Sequence, residues 1–354
     1  MDKDKIIQTL ILLTQAAGVS GDEQEPAAVA AGCLEPYVTR LHRDLSGNLI
    51  GFKEGAGGLE APSLLIAAHI DEIGAMVTKI DRGFIRFTPV GGLDPRTLLG
   101  QAVEVHGRQR LKGVIGARPP HLLTRKERQQ ELKIEDLYID LGLEQEQASR
   151  QVQVGDYISL DQPLLVMAAG DCLAGKALDN RSGVASLIFC AAELAEVRHY
   201  CHVYFVATVQ EEVGVRGAIT ASYGLAPDLA VAVDVTHGLA PGIPEEDGFE
   251  LGGGPVIGIG PNFHPVLVEQ LKVLAREHHL PYQVEPVPGP ASTDSRAIQI
   301  SREGIPSTLL SIPLRYMHST VEMLNADDLL LTGRLLGYFA RSIDLSLVEG
   351  LKCI

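Results

Sequence analysis

The chain has 354 residues, 45% of them hydrophobic and 21% charged, which is a globular composition with enough apolar side chains for a large interior. Its formal net charge of −15 and the absence of Trp argue against nucleic acid and anionic membranes as partners, and no apolar run reaches the length of a membrane span. Its five cysteines include no C-x-x-C pair, which argues against a disulfide framework or a structural zinc site and predicts a cytoplasmic location.

The first part of the chain predicts alternating helices and strands. The predicted elements are helices at 3–17 and around 25–34, and strands at 38–41, 49–52 and 63–68. Ser20 or Asp22 is the predicted N-cap of the second helix. The last strand is apolar throughout and ends in His69, which is typical of a buried, mostly parallel strand.

The pattern changes after this strand and later returns. Short alternating strands separated by Gly and Pro turns are predicted at 75–80, 84–87, 102–105, 111–115 and 157–160. From residue 171 the βα pattern resumes, with helices at 183–197, 217–223, 266–278, 294–301 and 327–345 and strands at 200–209, 229–233, 282–285 and 307–312. We therefore predict a three-layer αβα domain formed by residues 1–72 and 167–354, with a small β domain inserted at 73–166.

Metal-capable side chains stand at the ends of several predicted strands or in the loops that follow them. They are His69 with Asp71, Asp179, the pair Glu211 and Glu212, Asp234, and His318. Taken singly, each has an ordinary structural explanation such as a turn, a helix cap or a satisfied histidine. Together they match the rule that sites of α/β sheets gather at the carboxyl ends of the strands, and they predict a pair of divalent metal ions.

The spacing also suggests distinct roles within this set. Asp71 follows His69 by two residues, so it can accept a hydrogen bond from the nitrogen of the imidazole that does not bind metal. Glu211 and Glu212 repel each other unless cations neutralise them, and adjacent strand residues face opposite ways, so one is expected to bind metal and the other to carry a proton. A carboxylate at Asp179 can bridge two metals, with Arg181 as a candidate support.

These segments, in this order, resemble the M42 family of metallo-aminopeptidases, the glutamyl- and deblocking-aminopeptidase group, some members of which carry the label endoglucanase M. The resemblance covers essentially the whole chain. It rests on the stretches Gly18–Gly21, His69–Gly74, Ala177–Arg181 and Glu211–Gly214, together with Asp234 and Met317–Ser319.

The resemblance implies a role for each of these residues. His69, Asp179 and Asp234 would hold one metal, and Asp179, Glu212 and His318 the other, so that Asp179 bridges two ions, most simply Zn²⁺ or Co²⁺. Glu211 would be the general base, Asp71 would orient His69, and the Asp179–Asn180 peptide would be cis. The inserted domain would mediate dimerisation, and dimers would build a homo-oligomer such as a dodecameric tetrahedral shell.

The resemblance implies cleavage of the N-terminal bond of peptides that have a free N-terminus. Three alternatives stay open from the sequence: a related di-metal amidohydrolase or deacylase, a glycosidase that uses two carboxylates without metal, and a non-catalytic binding protein. The sequence departs from the family at Arg296, where small residues are usual. Arg296 either favours acidic side chains in the substrate pocket or is an exposed arginine at the start of a helix.

Overall fold

The computed structural model describes residues 2–351 and shows a mixed α/β protein. Its strands are β1 Arg40–Arg43, β2 Leu49–Lys53, β3 Ser63–His69, β4 Gly74–Asp81, β5 Phe84–Val90, β6 Ala102–His106, β7 Arg110–Ala117, β8 Leu137–Asp140, β9 Tyr157–Leu160, β10 Leu165–Val166, β11 Cys172–Gly175, β12 His202–Thr208, β13 Leu229–His237, β14 Val256–Ile259, β15 Gln283–Pro286, β16 Ser307–Leu314 and β17 Glu322–Asn325. Its α-helices are α1 Lys3–Gln15, α2 Gln24–Leu34, α3 Pro95–Leu98, α4 Gln145–Gln151, α5 Leu178–Ala195, α6 Arg216–Leu225, α7 Pro265–Glu277, α8 Asp294–Gln299, α9 Ala326–Ser342 and α10 Leu345–Gly350.

An eight-stranded sheet forms the centre of the larger unit, in the order β1-β2-β12-β3-β13-β16-β14-β15. The four central strands, β12, β3, β13 and β16, run parallel to one another. They are buried on both faces, which explains why β3 is an unbroken apolar run. Because these strands share a direction, their carboxyl ends lie along one edge of the sheet.

Helices cover both faces of this sheet, which gives the predicted three-layer αβα arrangement. The helices α1, α5 and α9 pack against one another, and α5 also packs on β3 and β13. On the other side α6 packs against α8, and α8 lies on β13 and β16. The two layers and the sheet share one hydrophobic core, in which Phe189, Phe205 and Phe339 are fully buried.

A closed six-stranded barrel follows β3, with the strand order β4-β5-β8-β7-β6-β9. It has a hydrophobic core of its own, with Ile85, Val105 and Ile139 at its centre, separate from the core of the large sheet. Its strands read as alternating apolar and polar residues because one face points into the barrel and the other to solvent. The barrel begins and ends within the stretch predicted as an inserted β domain.

Several local predictions were wrong. Ser20 and Asp22 do not cap α2, whose N-cap residue is Glu23; the Ser20 hydroxyl instead donates to the Asp71 carboxylate. The strand predicted at 229–233 continues to His237, so Asp234 lies within β13. The βα pattern does not resume directly after residue 171, because β11 first joins β10 and β17 in a small antiparallel sheet.

Two further observations concern the whole described chain. Within residues 2–351, no helix is long and apolar enough to cross a membrane. The cysteines at 33, 172, 190 and 201 are free thiols, and Cys353 lies outside the described residues.

Candidate metal centre

The carboxyl edge of the parallel strands brings the predicted site residues together. His69 is the last residue of β3 and pairs with Thr208 at the end of β12, and Glu211 and Glu212 lie three and four residues beyond the end of β12. Asp234 lies near the end of β13, beside Ser311 of β16. His318 comes from the loop between β16 and β17. The topology therefore delivers five side chains to one place from four different strands.

Asp179 lies between two imidazoles. Its Oδ1 is 3.1 Å from Nε2 of His69, and its Oδ2 is 3.5 Å from Nε2 of His318. The residue stands in a kink at the start of α5, where Asp179 and Asn180 have non-helical backbone angles and the peptide between them is cis, as predicted. The two oxygens of one carboxylate thus face opposite halves of the site.

The remaining predicted ligands complete these two halves. Asp234 Oδ1 lies 3.7 Å from His69 Nε2, on the side of Asp179 Oδ1. Glu212 Oε2 lies 3.4 Å from His318 Nε2, on the side of Asp179 Oδ2. Ligand atoms of His69, Asp179 and Glu212 all lie within 4.8 Å of one another, so the two halves adjoin.

Asp71 contacts both the His69 imidazole and the backbone of the Glu-Glu pair. Its Oδ1 is 3.5 Å from Nδ1 of His69, the nitrogen that faces away from Asp179. The same carboxylate accepts hydrogen bonds from the backbone N–H groups of Glu211, at 3.0 Å, and Glu212, at 3.1 Å. Asp71 is fully buried and so links the orientation of the imidazole to that of the Glu-Glu pair. The sequence predicted only the first of these contacts.

The carboxylates of the cluster stand in an environment that disfavours their negative charge. Burial raises the pKa of Glu211 and Glu212, with the carboxylates of Asp234 and Asp179 respectively adding to the effect. Burial also raises the pKa of Asp234 well above its ordinary value. The exception is Asp179: burial opposes its ionisation, but the two imidazoles outweigh that and lower its pKa.

The donor set fits divalent cations. Imidazole nitrogens and carboxylate oxygens are the ligands that zinc and its neighbours in the first transition series bind in proteins. Like-charged groups held this close are stable only when cations or protons compensate them. Glu211 Oε2 lies 3.9 Å from His69 Nε2, so its carboxylate also borders the cluster, although Glu211 is not one of the three residues whose ligand atoms lie within 4.8 Å of one another.

Arg181 does not contact Asp179, so the prediction that it supports this carboxylate directly was wrong. Its guanidinium is fully buried beneath the site and donates to the Glu72 carboxylate and to the carbonyl oxygens of Leu13, Ala16 and Ile70. Lys176 reaches the same carboxylate, at 2.6 Å. Arg181 therefore supports the site through Glu72, which follows Asp71 directly in the chain, and not by contact with Asp179.

Sequence reasoning missed two buried acids. Glu322 in β17 accepts hydrogen bonds from the backbone N–H groups of Asp179, at 3.0 Å, and His318, at 3.2 Å. Asp294, at the start of α8, accepts a hydrogen bond from the Thr208 hydroxyl at 2.5 Å, and its other oxygen has no partner within the described residues. Burial raises the pKa of Asp294 to about 6. Neither acid follows a long apolar run, which was the signal used to find the others.

The cluster opens into a cleft of about 510 Å³. One wall is formed by the end of β13 and by Glu285 of β15, and another by the segment that leads into α8. Arg296 is the third residue of α8, is exposed, and lines both this cleft and a neighbouring apolar groove. It is thus an exposed arginine near a helix start that also borders the cleft.

Comparisons with known proteins identify one family for this chain. The model of the M42 glutamyl aminopeptidase family matches residues 47–335. A lysyl aminopeptidase of Pyrococcus furiosus is 35% identical over 326 residues, which cover 89% of this chain and 91% of that protein. The crystal structure of a TET aminopeptidase from a marine sediment thaumarchaeon superposes with a TM-score of 0.93 at 33% identity, covering 98% of this chain and 99% of that one.

A third relative is known for its assembly. The TET1 peptidase of Pyrococcus horikoshii, which can form a tetrahedron or a large octahedral shell, superposes with a TM-score of 0.84 at 32% identity, covering 96% of this chain and all of that one. The family match covers most of the chain, including the stretch that carries Asp179, Glu211, Glu212, Asp234 and His318. The chain therefore belongs to the M42 glutamyl aminopeptidase family.

Proposed function

We propose that this chain is a metal-dependent aminopeptidase that removes the first residue from peptides with a free N-terminus, using two divalent cations such as Zn²⁺ or Co²⁺. The observation that carries the proposal is the placement of Asp179, whose two oxygens face His69 and His318 separately. His69, Asp179 and Asp234 would hold one cation, and Asp179, Glu212 and His318 the other. When bound, such ions lower the pKa of a shared water and polarise the carbonyl under attack.

Glu211 is the proton carrier in this proposal. Its carboxylate borders the cleft and belongs to neither ligand set, and its pKa is raised by burial. It accepts a proton from the attacking water and passes it to the amine that leaves. Its backbone N–H is held by Asp71, so the carboxylate and the His69 imidazole keep a fixed relation during the transfer.

The same cleft explains why an exopeptidase is the proposed class. At its inner end a free α-amine would either bind one of the proposed cations directly or, as an ammonium group, pair with a carboxylate that those cations leave uncompensated. An internal peptide bond has no such positive group. We therefore expect acetylation of the substrate N-terminus to remove most of the hydrolysis.

We also propose that the protein is a homo-oligomer and that the barrel, within residues 73–166, carries the dimer contacts. None of the proposed metal ligands lies in the barrel. Large apolar side chains on this stretch face solvent in the single chain, including Val114, Leu122 and Val154. A second copy could cover them and also the polar backbone of the barrel rim. The shells formed by the P. horikoshii relative support an assembly of this kind.

The test is an assay of aminoacyl-p-nitroanilides before and after treatment with a chelator. We expect hydrolysis by the protein as purified, loss of hydrolysis on chelation, and recovery on addition of Zn²⁺ or Co²⁺. N-acetylated substrates serve as the control and should not be cleaved. Hydrolysis that resists the chelator, or cleavage of a β-glucan in place of the peptide analogues, would contradict the proposal.

A further inference from the structure

Glu285 is a charged side chain in the substrate cleft that the proposed reaction does not use. It lies in β15 at the edge of the large sheet, is half-buried, and lines the same cleft as the candidate metal ligands. Its Oε1 accepts a hydrogen bond of 2.9 Å from the hydroxyl of Thr236. The strand β15 contributes none of the proposed metal ligands.

The surroundings of Glu285 leave its negative charge largely uncompensated. Burial raises the pKa of its carboxyl, and the opposing influences are the Thr236 hydroxyl and the imidazole of His237. No lysine or arginine within residues 2–351 forms an ion pair with it. A half-buried carboxylate whose partners are a hydroxyl and an exposed imidazole would gain from a cation delivered by a ligand.

The position of Glu285 along the sheet fits the side chain of the first substrate residue. Thr236 follows Asp234 by two residues in β13, so both side chains point to the same face of the strand. Two residues of strand span about 7 Å, so Thr236, whose hydroxyl holds the Glu285 carboxylate, lies about that far along β13 from a proposed metal ligand. The four-carbon stem of lysine spans a distance of this order, and Val287 and Met317 line the cleft with apolar surface for it.

We propose that Glu285, held by Thr236, is a specificity-determining residue that selects lysine or arginine as the first residue of the peptide substrate. The inference rests on the proposed aminopeptidase function and adds the substrate class. The substrate ammonium or guanidinium group would pair with the carboxylate, and the stem of the side chain would cross the apolar wall of the cleft.

Arg296 is the competing charge, because it lines the cleft and would favour acidic residues instead. Its side chain is exposed and also borders the apolar groove beside α6. Charges in contact with bulk water contribute little to an ion pair, whereas a half-buried carboxylate contributes more. Glu285 is therefore the stronger selector, and Arg296 belongs to the rim of the cleft.

The test compares kcat/KM for lysyl, arginyl, leucyl and glutamyl p-nitroanilides with the metal-loaded wild type, Glu285→Gln, Glu285→Asp and Arg296→Gln. The glutamine is close in shape and still accepts the Thr236 hydrogen bond, so it removes the charge alone. We expect the wild type to prefer the basic substrates. Glu285→Gln should lower kcat/KM for those two by about 10- to 100-fold, the loss typical of one charged hydrogen bond, and change the leucyl value by less than about 3-fold. Glu285→Asp should fall between the wild type and Glu285→Gln, and Arg296→Gln should keep the lysyl-to-leucyl ratio.

Four results would overturn the inference. A wild type that prefers the glutamyl substrate, with that preference lost in Arg296→Gln, would assign selection to Arg296. An equal loss on all four substrates in Glu285→Gln would show that the carboxylate holds the α-amine or the fold, and not the side chain. Absence of metal-dependent hydrolysis of every substrate would overturn the proposed function and the subsite with it, whereas cleavage of the leucyl substrate without preference for basic ones overturns the subsite alone.

Discussion

Asp179 shows how a single side chain can organise a site. Each of its oxygens faces a different histidine, and its backbone N–H is fixed by the Glu322 carboxylate, so neither the side chain nor the backbone is free to turn. A side chain held in this way needs little rearrangement when a cation binds to it.

Replacement of Glu211 by Gln should separate catalysis from metal binding. The amide cannot accept the proton that the carboxylate accepts, so kcat should fall by about 10²- to 10⁴-fold. The metal content should remain that of the wild type, because Glu211 belongs to neither ligand set. Elemental analysis and kinetics on the same preparation check both statements, and near-normal turnover would show that another group carries the proton.

Glu322→Gln should lower the affinity of the site for divalent metal. The carboxylate accepts hydrogen bonds from the N–H groups of Asp179 and His318, and an amide offers only one acceptor atom for two donors. Groups that orient metal ligands typically change metal affinity or activity by about 10- to 100-fold when replaced. Competition with a chromogenic chelator measures the affinity. Glu269→Gln, on an exposed ion pair, is the matched control, and equal affinities in the two variants would contradict the positioning role.

At the scale of elements, a buried charge network ties three segments together under the site. The Glu72 carboxylate after β3 accepts from Lys176 before α5, from Arg181 within α5, and from the backbone N–H of Gly18 after α1. Burial opposes ionisation of Glu72, but the two cations outweigh it and lower its pKa. The network fixes where α1 and α5 meet the strand that carries His69.

Glu72→Gln should destabilise the fold far more than the loss of a surface charge. It would leave two buried cations without their carboxylate, which typically costs about 3–5 kcal/mol in the free energy of unfolding. The exposed pair of Arg276 and Glu269 provides the control, since Glu269→Gln should change stability by less than about 1 kcal/mol. Chemical denaturation at a constant protein concentration measures both, and similar midpoints for the two variants would refute the role of the network.

The sequence predicted the elements whose pattern is local and missed those that depend on distant partners. The apolar runs of β3, β12 and β16 are buried on both faces, and their composition alone identifies them. By contrast β8 is four residues long and contains two polar positions, and it exists because β5 and β7 pair with it on either side. A pairing of that kind leaves little trace in the strand itself.

In the site, too, the residues with a local sequence pattern were predicted and those that depend on distant partners were missed. Its metal-capable residues were predicted because each follows or ends a strong apolar pattern, and the rule for α/β sheets says where such ends meet. The sequence predicts that β13 ends before Asp234, because Asp is rare within strands. In the structure β13 continues through Asp234 and pairs there with β16. Glu322 and Asp294 were missed because their short elements carry no comparable pattern, and only the folded chain brings them to Asp179 and Thr208.

At the scale of the whole molecule, the barrel is one continuous segment of the chain that contains none of the proposed metal ligands. Its deletion would leave each of those ligands on the element that carries it. Its first and last strands, β4 and β9, pair antiparallel, with Ala75 opposite Ile158. The two points where the chain enters and leaves the barrel therefore lie side by side, about 5 Å apart across the ladder. A short linker can join them without distortion of the large sheet.

We predict that replacement of residues 74–160 by a short Gly/Ser linker gives smaller particles that still bind divalent metal. Light scattering of the wild type should give a multiple of the subunit mass, and the deletion variant should give a lower multiple. Metal analysis of the same variant shows whether the large sheet remains folded. A wild type that is monomeric at micromolar concentration, or a variant that keeps the full native assembly, would contradict the proposed role of the barrel.

The most direct test of the account is the number of metal ions per subunit in the wild type and in Asp179→Ala. Asp179 is the one residue assigned to both ions, so the account predicts two ions per subunit in the metal-loaded wild type and a loss of both high-affinity sites in the variant. Elemental analysis after gel filtration in metal-free buffer gives the two numbers. An Asp179→Ala protein that keeps two tightly bound ions per folded subunit would contradict the bridging arrangement on which the proposed function rests.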